Sequence, residues 1–132
     1  MKASRSTSTE GTGSGPLVLI LDDEALILMD LRFALEDEGA TVQEARTANA
    51  ALELIAARTP DVAVLDVNLG RGRTCEPVAL RLRELGVPFL LHTGDLDRQG
   101  ELVRNIAAPV VPKPSMGYEV ARRALQLIAT ER

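Results

Sequence analysis

The chain is short of the residues that carry several kinds of chemistry. Its 132 residues include no Trp, one Tyr, two Phe, one Cys and one His. The lone Cys75 excludes an internal disulfide and a cysteine-based metal knuckle. It fits a reducing compartment, so a cytoplasmic protein is expected. No apolar run approaches the roughly 20 residues that span a bilayer, and no membrane segment is expected. A net charge of -4 offers no basic footprint, so nucleic acid is not an expected partner. Lysine is scarce too: of 15 cationic side chains only Lys2 and Lys113 are lysine, and the rest are arginine.

What remains is ordinary globular material, 45% hydrophobic and 26% charged, enough for one domain with a core. Residues 1–15 are mostly Ser, Thr and Gly around scattered charge. They lack the apolar segment of a signal peptide, and Glu10 argues against an organelle presequence. They are expected to form a disordered leader, with the folded domain over 16–132.

Two continuous apolar runs end in acids: residues 17–21 lead into Asp22-Asp23-Glu24, and residues 62–65 lead into Asp66. Such runs read as strands buried on both faces, the kind found in parallel sheets. Weaker strands are expected over 41–45, 87–91 and 110–111. Helical spacing falls between them, over 24–38, 48–58, 76–85, 97–106 and from a Ser115 cap to the end. Gly39 and Gly86 supply stops, Thr47 a cap, and Pro77 sits in a first turn. The expected fold is therefore α/β: five βα units forming one parallel sheet with helices on both faces.

Parallel strands share one carboxyl edge, and that edge is where open α/β sheets bind ligands. Here it collects Asp22, Asp23, Asp66, Thr93 and Lys113. Three gathered carboxylates repel one another unless a cation stands between them, and all-oxygen ligands suit Mg²⁺ better than Zn²⁺. A hydroxyl and an ammonium beside a carboxylate and a metal make a layout that stabilises phosphoryl oxygens on an aspartate. Lysine, a compact point charge, suits one phosphoryl oxygen.

In these four separated signatures the chain resembles the receiver domain of bacterial two-component response regulators. They are the acidic pair after strand one, the Asp ending strand three, Thr93-Gly94 after strand four and Lys113-Pro114 after strand five. The resemblance implies a flavodoxin-like sheet of order 2-1-3-4-5. It implies Asp66 as phosphoacceptor, with Mg²⁺ held by Asp23, by Asp22 mainly through water, and by the backbone carbonyl of Asn68. Thr93 would bond the phosphoryl group and Lys113 would pair with it. A sensor histidine kinase or histidine phosphotransfer protein would be the donor. The chain ends soon after the fifth helix, so a stand-alone receiver is expected, signalling through an unknown protein target and not acting as a turnover enzyme. A homodimer face on the last elements, using Arg104, Arg122, Arg123, Asp97 and Glu119, competes with a solvated surface there. Two departures stand out. The position three before the lysine, often aromatic in receivers, is Val110, and the loop after Asp66 reads Asn68-Leu69-Gly70-Arg71-Gly72-Arg73.

Other readings compete. A strand-end Asp is often only a loop cap, and Asp22 and Asp23 could cap a helix. His92 and Cys75 read as structural residues, and Arg71 and Arg73 as a solvated loop or a contact for an acidic partner surface. A phosphorylation-independent interaction module fits the same fold. An aspartyl-phosphate hydrolase lacks its Asp-x-Asp, and a flavin phosphate would be repelled by the acids after strand one.

Overall fold

A computed structural model describes residues 15–94 and 100–131. The expected leader lies outside the described residues apart from Gly15, as do Asp97 and the first part of the fourth expected helix. The element order is β1 (Leu17–Leu21), α1 (Ala25–Asp37), β2 (Thr41–Ala45), α2 (Ala48–Ala57), β3 (Val62–Leu65), α3 (Glu76–Glu84), β4 (Phe89–Thr93), α4 (Gly100–Ile106), β5 (Val110–Pro112) and α5 (Gly117–Glu131). The strands form one parallel sheet of order β2-β1-β3-β4-β5. This is the flavodoxin-like arrangement anticipated from the sequence.

Alternation along the central strands builds a core on each face. Leu19, Leu21, Ala63, Leu65, Phe89 and Leu91 meet α2, α3 and α4 through Ala51, Ile55, Val78, Leu82 and Ile106. Val18, Ile20, Val62, Val64 and Leu90 face α1 and α5 through Leu28, Leu31, Leu35, Val120, Ala121 and Ala124. Each fully buried Leu contributes on the order of 2 kcal/mol from area removed from water, so the two apolar runs stabilise the central strands most. The edge strand β2 is only half-buried. Its Gln43 side chain donates to the carbonyls of Leu54 (3.2 Å) and Arg58 (3.0 Å), tying the end of α2 to the sheet.

Local signals account for most boundaries. The Thr47 hydroxyl accepts from the Ala50 N–H, as a helix cap should. Gly39 and Gly86 take positive φ just past α1 and α3. Two expectations need correction. β4 starts at Phe89, not Val87, because the Val87 N–H bonds the Leu82 carbonyl in closing α3 and Pro88 has none to give. It also runs on to Thr93, where the Thr93 carbonyl accepts from Lys113 N–H at 3.0 Å. Ser115 does not cap α5: its hydroxyl donates to the Pro112 carbonyl, and the helix begins at Gly117 with the Met116 carbonyl accepting from Glu119 and Val120. The Lys113–Pro114 peptide is cis.

Candidate functional site

The carboxyl edge is set by three backbone steps. The Asp22 N–H bonds the Ala45 carbonyl, the Asp66 N–H bonds the Leu21 carbonyl, and Leu21 pairs with Leu65 in register. Asp22 and Asp66 therefore leave adjacent strands at one level. With Asp23 they bring a carboxylate oxygen each to within 4.8 Å of one another. Lys113 arrives from β5. Its Nζ lies 2.9 Å from Asp22 Oδ2, 3.3 Å from Asp66 Oδ2 and 3.6 Å from Glu24 Oε1.

Burial makes this group electrostatically tense. Asp22 and Asp66 are almost wholly covered, and Asp23 is half-buried. Asp66 is pushed up to about 7, first by desolvation and then by Asp22, with Asp23 adding to it; Lys113 only partly opposes the rise. Burial alone would lower Lys113, yet its hydrogen bond to Asp22 and the charges of Asp66 and Asp22 carry it above its ordinary value. Asp22 also does a structural job, its Oδ1 accepting from the Glu24 N–H at 2.9 Å. That bond makes a turn ahead of α1, whose N-cap residue Glu24 receives no side-chain cap bond, so the helix-cap reading of Asp22 is corrected to a turn before the helix.

The remaining expected residues come to the same edge. Thr93 ends β4, is buried, and lies in register with Pro112 beside Lys113. Gly94 passes close to Lys113: a Cβ there would meet the lysine Cβ at 3.4 Å. The Asn68 side chain is occupied locally, its Oδ1 accepting from the Gly70 N–H at 2.9 Å. Its part in any metal site would fall to the backbone carbonyl. Val110 is half-buried against the α2–α4 core, paired with Leu91.

One contact escaped sequence reasoning. Arg46 grips the Asp23 carbonyl through Nε (3.2 Å) and Nη2 (2.8 Å), fixing the backbone that carries an acid of the site. The only available signal was an arginine just past an edge strand. His92 is buried on β4, and neither ring nitrogen has a hydrogen-bond partner among the described residues. Burial, and then the Lys113 charge, drive it down to about 4, while Asp30 pulls the other way. Cys75, covered completely at the start of α3, is pushed up to about 12 by burial and then by Asp66. No described helix is long and apolar enough to cross a membrane.

Comparison with known proteins agrees with this geometry. The family model described as "Response regulator receiver domain" matches residues 18–120, and the chain belongs to that family. It is 34% identical over 116 residues to the response regulator MprA of Mycolicibacterium vanbaalenii, covering 84% of this chain and 49% of that protein. It is 37% identical over 100 residues to the alginate biosynthesis transcriptional regulatory protein AlgB of Pseudomonas putida, covering 74% of this chain and 22% of that protein. The chain thus spans half or less of the length of these curated relatives. A CheY-like receiver domain protein from Methanospirillum hungatei superposes with a TM-score of 0.78 at 23% identity, covering 89% of this chain and 97% of that one, a likeness of fold.

Proposed function

We propose that this receiver accepts a phosphoryl group on Asp66 from a histidine kinase or histidine phosphotransfer protein and signals through protein contacts. One observation carries the reading: a buried aspartate with two acidic neighbours and one ammonium, all at the carboxyl edge of the sheet. The raised Asp66 carboxyl, pushed up by burial and by Asp22, marks a place where a bound cation would favour the ionised, nucleophilic form.

The residues fit Mg²⁺: three carboxylates bring hard oxygen ligands together, and the Asn68 backbone carbonyl would add a fourth. A bound Mg²⁺ would offset the mutual repulsion and neutralise charge on the phosphoryl oxygens. Asp66 is then the attacking carboxylate. Lys113, already 3.3 Å from it, pairs with the incoming phosphoryl group, and the Thr93 hydroxyl takes another of its oxygens. Dephosphorylation is the chain's own, by water at the same edge, without turnover of an external substrate.

The proposed output is a protein. In support, Leu26, Met29 and Phe33 of α1, Met116 just before α5 and Tyr118 in its first turn are exposed large apolar residues on neighbouring elements. For the chemistry, the protein is treated with a small acyl phosphate and Mg²⁺, digested and mapped. The phosphoryl mass is expected on the peptide holding Asp66 and on no other; labelling elsewhere contradicts the assignment.

A further inference from the structure

The loop after Asp66 is a tight, strained hairpin. Asn68 bridges Thr74, the Leu69 N–H bonds the Arg73 carbonyl at 2.9 Å, and the Arg73 N–H bonds the Gly70 carbonyl at 2.9 Å. Three successive residues at its tip have positive φ: Gly70 at 86°, Arg71 at 55° and Gly72 at 74°. Glycine tolerates this conformation. Arginine is held there against its preference, and strain of this sort gathers at functional positions.

The strained arginine overlooks a cleft of about 570 Å³ lined by Asp23, Arg46, Leu69, Arg71 and Arg73, with Ala48 of α2 at its wall. Three arginines therefore line one cleft with a single acid, Asp23, in a protein whose net charge is -4. Arg46 is anchored on the Asp23 backbone. Among the described residues no carboxylate lies within 4 Å of Arg71 or Arg73. The positive end of the α2 dipole adds to the same potential. The Arg71 and Arg73 forks, without a carboxylate partner among the described residues, beside a recess of this volume suit the bidentate geometry and the size of a small phosphorylated molecule.

We propose that this cleft binds a phosphorylated small molecule through its phosphate oxyanions, at a site separate from Asp66. The hairpin holds Arg71 and Arg73 in place before the ligand arrives, and Arg46 completes the cradle from the opposite loop. Asp23 borders both sites, so occupancy of one changes the charge felt at the other.

The test is calorimetric titration of the full chain with inorganic pyrophosphate in EDTA, so that the metal site takes no part. Binding of one equivalent is expected, with a Kd of about 1 mM or tighter. Arg71→Gly and Arg73→Gln should each weaken it about tenfold or more, as loss of a charge-assisted contact does. Asp66→Asn should leave it intact. Arg71→Gly also separates ligand binding from folding, because glycine relieves the positive φ and its thermal stability should match or exceed that of the wild type. No binding by the wild type, or binding that ignores both arginines, overturns the proposal. So does binding that vanishes with Asp66→Asn. An acidic protein surface as the true occupant would appear as the first of these outcomes.

Discussion

Lys113 gives its shortest ion pair, 2.9 Å, to Asp22, and reaches Asp66 only at 3.3 Å. The lysine is thus the joint that lets two buried acids coexist on neighbouring strands. Replacing it leaves both carboxylates covered without that cation. Lys113→Met should lower the free energy of unfolding by about 1–3 kcal/mol at pH 8 in EDTA, with millimolar Mg²⁺ recovering part of the loss. Urea unfolding with and without Mg²⁺ reads both effects, and equal stability of variant and wild type contradicts this role.

Asp66 should act against stability at neutral pH. Its carboxyl is raised from 3.8 to about 7 in the folded chain, so the folded state holds a proton that the unfolded state has released. Stability from this group is complete below about pH 4 and is lost as pH rises through about 7. Asp66→Asn should therefore be more stable than the wild type above pH 7 in EDTA, by on the order of a few kcal/mol. The difference should shrink towards pH 4, and a difference that stays constant with pH contradicts the account.

His92 has the opposite sign. Its value is lowered to about 4, so the unfolded chain takes up a proton the folded chain refuses. This contribution is present above about 6.5 and is lost as pH falls towards 4. His92→Leu also removes two nitrogens that find no partner among the described residues. It should equal or exceed the wild type at pH 5, and its advantage should narrow at pH 8. Denaturant midpoints at the two pH values decide this, because the Asp66 contribution cancels in the comparison.

Cys75 should be inert. It is completely covered and its thiol is pushed up to about 12, so almost no thiolate exists at pH 8. A disulfide reagent should modify it only at the rate of unfolding, and instantly in denaturant. Fast labelling of the folded chain contradicts the burial.

The sheet order was legible because β1 and β3 are unbroken apolar runs, and such runs have few readings besides central parallel strands. The edge residues followed, since acids or polar groups terminate those runs. What stayed hidden depended on which of several available partners a group takes, near or far along the chain. Nothing local reveals that Val87 gives its N–H to Leu82, or that the Ser115 hydroxyl turns back to Pro112. The Arg46 grip on Asp23 spans 23 residues. The strain at Arg71 was equally invisible, because a Gly-Arg-Gly sequence is compatible with many loops and only backbone geometry selects this one.

Whether Asp66 is the phosphoacceptor is decided by the intact mass of the protein. Protein, Mg²⁺ and a small acyl phosphate are incubated together, with Asp66→Asn and an EDTA sample in parallel. The account predicts one phosphoryl adduct on the wild type, absent from the variant and lost without metal. A folded, Mg²⁺-bound wild type that gains no mass, or a variant that gains as much, contradicts it.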